Sequence, residues 1–174
     1  MARIDTEILK EFQAESKTLV QQMQEILERC EGNISRAQSL EDYGLNVDRI
    51  MGGAKSLALE AGADHILNKI GDYAAICKAV GYKSSQIRNN VAFYDICVAL
   101  LLDGNEVMEA MIDAIAEDEN LEIKKLFTGP FLERLKWVSN EFGDNVRASV
   151  SIQRPAAKLS QVDIDSLIKK LGLD

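Results

Sequence analysis

A chain of 174 residues, 47% hydrophobic and 28% charged with only two prolines, is long enough to bury one core and leans towards an all-helical domain. Its formal net charge is −8 and no dense cluster of Lys and Arg interrupts it, which excludes a nucleic-acid binder, since that needs a basic face. The longest apolar run, Ile96 to Leu102, is too short to span a bilayer, and the N-terminus lacks a signal peptide's apolar block.

A first helix is predicted from Ile4, Ile8, Leu9, Phe12, Leu19, Val20, Met23, Ile26, Leu27 and Cys30, which follow a three-and-four spacing up to Gly32-Asn33. Ser39 is placed to cap a second helix with Val47, Ile50, Ala54, Leu57 and Ala61 inward and Gly62 as its stop. The third runs from about Ala63, burying Ile66, Ile70, Tyr73, Ala74 and Cys77, and stops near Gly81. A fourth, capped by Ser84 and reaching about Ala116, is apolar nearly all round at ICVALLL, which suggests a central position. The fifth starts at Thr128-Gly129-Pro130, with Phe131, Leu135, Val138 and Phe142 as its inner stripe. The fold class expected is therefore all-α, an antiparallel four- or five-helix bundle over residues 1–142.

Residues 143–158 change character. Alternation at Val146, Ala148, Val150 and Ile152 permits a short extended segment, but linker is the favoured reading because no partner strand is visible. Residues 159–174 form a short amphipathic helix, with Ser160 and Asp163 at capping-box spacing, Ile164, Leu167, Ile168 and Leu171 on one stripe, and Gly172 as the stop. So short a helix is marginal alone and should fold against something. Cys30, Cys77 and Cys97 fall at apolar helical positions and read as core residues of a cytoplasmic protein, not as a disulfide framework or metal site.

The second helix carries an adjacent pair, Gly52-Gly53, inside VDRIMGGAKSLA, although each interior glycine costs about 1 kcal/mol against alanine. Gly53 lies nearer the core side, where it lets two helices approach. Gly52 falls on a different stripe with Asp48, Met51, Lys55 and Leu59. An acid, two apolar groups, a lysine and a bare backbone make a surface suited to a protein whose backbone comes close at Gly52.

VDRIMGGAKSLA resembles the phosphotransfer motif of histidine-containing phosphotransfer (HPt) domains, in which a histidine is followed by a Lys-Gly pair. In register, Asp48 stands at the histidine's place, Met51 at the lysine's and Gly52 at the glycine's. ILKEFQAESKTLVQQMQEILERCEG and ICVALLLDGNEVMEAMIDAI resemble the first and fourth helices of the HPt domains of CheA-type chemotaxis kinases. The resemblance implies that Asp48, Met51, Gly52, Lys55 and Leu59 dock a response-regulator receiver. It also implies no phosphorelay, because a carboxylate cannot take up and return a phosphoryl group as imidazole does. The single histidine, His65, lies beside the third helix's inner stripe and reads as structural or solvated.

The tail, SQVDIDSLIKKLGL, is similar to the C-terminal receiver-binding peptide of CheZ-type chemotaxis phosphatases, and its first half to the N-terminus of FliM-type flagellar switch proteins. This implies that Ser160, Gln161, Ile164, Asp165, Leu167, Ile168 and Leu171 bind a CheY-type receiver. The ligand reading is favoured by the linker and the cap, although the stripe alone would also permit a terminal helix packed back on the bundle. A tether of sixteen residues spans roughly 22 Å r.m.s., and joins the two contacts at effective concentrations approaching millimolar.

CheZ-type phosphatases place an acid and a carboxamide, Asp-x-x-x-Gln, in the receiver's active site, where the amide orients water. No Asp-x-x-x-Gln occurs in this sequence. Asp64 and Asn68 are the nearest substitute, while Asp42 and Asn46 share the spacing with Asn46 partly inward. The tail's likeness to CheZ-type peptides favours promotion of receiver dephosphorylation, with a non-catalytic HPt-like adaptor that sequesters or localises the receiver as the alternative. The resemblance implies no cofactor in the chain itself, with Mg²⁺ on the receiver, and leaves open a homodimer through the long helices.

Overall fold

A computed structural model describes residues 4–117, 123–144 and 161–173. Among them there is no strand, and the chain forms seven α-helices: α1 (Thr6–Cys30), α2 (Leu40–Ala61), α3 (Ile66–Ser85), α4 (Val91–Asp113), α5 (Ile123–Leu126), α6 (Gly129–Asp144) and α7 (Gln161–Lys170). The architecture is an all-α bundle. Short 3₁₀ turns, Ile34–Ser39 and Ala114–Glu117, lead into α2 and out of α4. The extended-segment reading of Val146, Ala148, Val150 and Ile152 lies outside the described residues, as does Ser160; helix α6 takes up the first two residues of the expected linker.

The middle of each inner stripe is where helical periodicity puts it, whereas Ile8 of the first is 42% exposed and Leu57, Ala61 and Ile66 are only partly buried, towards helix ends where fewer neighbours cover them. Met23, Leu27, Val47, Ile50, Ala54, Ile70, Tyr73, Val138 and Phe142 are all buried, and so are Cys97, Val98, Leu100 and Leu101 of the central α4. Polar ties cross this core: the Tyr94 hydroxyl donates to the Cys30 carbonyl at 2.7 Å, the Tyr73 hydroxyl donates to the Gly104 carbonyl at 2.6 Å, and the Asn105 amide donates to the Val20 carbonyl at 3.2 Å. The three cysteines are buried and free.

The helix ends differ from expectation in informative ways. Asp5 caps α1, its carboxylate accepting from the Glu7 N–H at 2.9 Å. Ser39 occupies the cap position of α2 but makes no side-chain cap bond, because the 3₁₀ turn before it already supplies the entry. Helix α3 passes through Gly81 and ends at Ser85, and α4 starts at Val91 under Asn90, whose side-chain oxygen accepts from the Phe93 N–H at 3.1 Å. Gly81 is not a stop because its missing side chain is filled from outside: a Cβ there would lie 2.8 Å from the Tyr43 ring. Ser84 is buried inside α3 and caps nothing. Gly62 and Gly172, at φ +98° and +75°, do end their helices, in the left-handed region that glycine tolerates best.

Helix α7 packs back on the bundle, against α3 and α6. Ile164, Leu167, Ile168, Leu171 and Leu173 are buried there, and the Lys69 ammonium of α3 donates to the Lys170 carbonyl at 2.6 Å.

Candidate receiver-docking surface

Helices α2 and α3 lie antiparallel, in closer contact than any other pair, and small residues on both explain how. Gly44 faces the Tyr82 ring, Gly81 the Tyr43 ring, and Gly71 the aliphatic stem of Lys55, with would-be Cβ distances of 3.1, 2.8 and 2.9 Å. The Lys78 ammonium of α3 meets the Asp48 carboxylate of α2 at 2.8 Å. Lys55 and Asp48 therefore sit on the α2–α3 seam, and the candidate surface belongs to both helices.

The two glycines of the pair have separate roles. A Cβ at Gly53 would lie 2.7 Å from the Phe12 ring of α1, so its absence permits the α1–α2 crossing. A Cβ at Gly52 would meet nothing within 4 Å. No internal packing uses that missing side chain. Around it Met51 is half-buried and Lys55 exposed, while Leu59 is 88% exposed. Sequence reasoning missed Leu45, which is 54% exposed and stands seven residues before Gly52 as Leu59 stands seven after. At 1.5 Å per residue the two leucines are about 21 Å apart along one side of the helix, with the bare glycine midway. The signal was an apolar series at a strict interval of seven lying off the core stripe.

Asp48 is half-exposed and ion-paired, a surface pair worth about 0–1 kcal/mol. It supplies charge to the seam. The other candidate chemical groups are committed elsewhere. His65 is the cap of α3, its Nδ1 accepting from the Leu67 N–H at 3.2 Å, and is not on the helix. Burial pushes the Cys77 and Cys97 thiols up to about 11 and about 12, and raises Cys30 as well, which keeps them protonated and inert at neutral pH.

The Asp64–Asn68 pair does not form the helical acid–amide array that its spacing suggested. Helix α3 starts at Ile66, so Asp64 lies in the turn before it. The Asn68 amide donates to the carbonyls of Gly62, Ala63 and His65 at 2.8, 3.2 and 3.3 Å. The Gly62 and His65 carbonyls also accept the backbone N–H groups of His65 at 3.3 Å and Asn68 at 3.0 Å, so the Asn68 side chain adds to the bonding of its own turn. An amide held this way is not poised to orient a water in another protein. Asp42 is exposed and Asn46 half-buried on α2, and this pair does keep its spacing on one helix.

Of the tail residues, Ile164, Leu167, Ile168 and Leu171 are brought together, with their stripe turned into the bundle. Ser160 is outside the described residues, and the side chains of Gln161 and Asp165 are outside them too. Among the described residues no group of three or more His, Cys, Asp or Glu could hold a metal ion, and no helix is long and apolar enough to cross a membrane. No protein family, curated protein or solved structure matches the chain.

Proposed function

We propose that this chain is an HPt-like docking protein for a CheY-type receiver, non-catalytic at its docking face, that sequesters or localises the receiver in a chemotaxis-type signalling system. The observation that carries the reading is Gly52: a helix-weakening residue with no internal occupant, midway between exposed Leu45 and Leu59. A glycine that the fold does not need is explained by an approach from outside. Support for the adaptor form comes from Asn68, whose amide is bound by its own turn. A second reading, promotion of receiver dephosphorylation, draws on the tail's likeness to CheZ-type phosphatases and would have to use Asp42 and Asn46 in place of Asp64 and Asn68.

The test is a titration of the full chain with a phosphorylated CheY-type receiver from the same genome, followed by the rate of acyl-phosphate loss in the complex. The adaptor reading expects saturable binding with no faster loss than the receiver alone. Faster loss abolished by Asn46→Ala replaces it with the phosphatase reading. Absence of binding at any concentration tested rejects both.

A further inference from the structure

The apolar stripe by which the tail's likeness to receiver-binding peptides would have it hold a receiver is the same stripe that this chain buries. Ile164, Leu167, Ile168 and Leu171 are 0, 9, 2 and 3% exposed, seated on α3 and α6, and only Ser166, Lys169 and Lys170 of the α7 side chains described face solvent. A helix cannot present one stripe to two grooves at once. Its C-terminal end is held by a polar contact, the Lys69 ammonium on the Lys170 carbonyl at 2.6 Å. That is where the last carbonyls of a helix lack partners and its dipole is negative. Gly172 and Leu173 complete the lock: the Leu173 N–H donates to the Ile168 carbonyl at 3.3 Å and its side chain is buried.

We infer that α7 is an intramolecular competitor of the receiver: docked on α3 and α6 it is closed, and a receiver captures the tail only from the undocked state. This rests on the receiver reading above and adds its regulation. The apparent dissociation constant for the tail is then its intrinsic value divided by the undocked fraction. Whatever loosens α7 from α3 tightens receiver binding by the same factor. Lys69 is the handle, since it holds α7 from outside the tail's own recognition residues. A carboxylate in its place would face the negative end of α7.

The experiment places spin labels at Gln22→Cys and Ser166→Cys, both exposed positions, in the full chain, and measures the distance between them with and without saturating CheY-type receiver. The native thiols are buried and resist labelling. One narrow distance is expected in the chain alone, replaced by a broad distribution in the complex, and Lys69→Glu should broaden it without receiver while tightening binding by about three- to tenfold. A narrow distance that persists in a saturated complex overturns the competition and leaves the receiver reading standing. So does a Lys69→Glu chain that has opened with unchanged affinity. No binding by either chain removes the receiver reading, and the competition with it.

Discussion

Gly52 and Gly81 lack the same side chain and answer to different neighbours, so alanine should act on them in opposite directions. At Gly52 a Cβ meets nothing within 4 Å, and the helix gains what alanine gives an exposed interior position, about 0.5–1 kcal/mol. Thermal unfolding of Gly52→Ala should therefore move up by a few degrees. If the dent admits a receiver, the same variant should bind it several-fold more weakly, and a stabilised variant with undiminished binding would show that the dent is not used. At Gly81 a Cβ falls 2.8 Å from the fully buried Tyr43 ring, which has no exposed space to retreat into. Overpacking of this kind costs about 1–3 kcal/mol, and Gly81→Ala should unfold at lower denaturant by that amount. Sequence reasoning separated Gly52 from Gly53 correctly because the helical wheel puts them on different faces. It misread Gly81 as a stop because a glycine alone does not say whether its gap is filled by a turn or by a neighbour's ring.

Among the helices, those whose stripes follow the 3.6 period were legible: Phe131, Leu135, Val138 and Phe142 are buried as spaced, and the Gly62 and Gly172 stops are where they were read. The α3–α4 boundary was not, since Asn90 caps α4 while Ser84, a residue of the same capping type, is spent inside α3. The short α5 was missed because four residues carry no period. Nor could the stripe of α7 say which surface receives it, and the structure gives that surface as α3 and α6. Five buried apolar side chains on the tail contribute roughly 10 kcal/mol at about 2 kcal/mol each, and ordering its ten helical residues costs roughly the same at about 1 kcal/mol each. The docked helix is thus close to balance. Truncation after Ala157 should leave α1–α4 folded, because most of the core they share is made among themselves and α7 adds to it from the α3 and α6 side. It should uncover an apolar face of α3, which is buried at thirteen of twenty positions, so a dye that reports exposed apolar surface should bind the truncated chain more strongly than the full one. Equal dye binding would mean that α7 covers nothing the bundle needs covered.

For the molecule as a whole, the buried thiols tie stability to pH with a definite sign. Burial raises Cys77 to about 11 and Cys97 to about 12, from an ordinary 9.0. The unfolded chain therefore releases these protons first. Where the unfolded state is the one that ionises, rising pH favours it, so the thiol contribution is complete below about pH 9 and is lost as pH climbs through 9 towards 11 and 12. The slope is about 1.4 kcal/mol per pH unit for each thiol in that window. Tyr43 and Tyr73, also pushed up by burial from 10.0, act in the same direction but only above pH 10. The window between pH 9 and 10 thus belongs to the cysteines. Denaturant midpoints of the full chain should be flat from pH 7 to 8.5 and fall steeply beyond 9. Cys97→Ala, although less stable throughout from its lost methylene-sized contacts, should fall less steeply between pH 9 and 10, with Cys77 and Cys30 carrying the remaining slope. A Cys97→Ala chain as steep as the wild type in that interval would mean that Cys97 does not stay protonated in the folded bundle, and that the interior around α4 admits water.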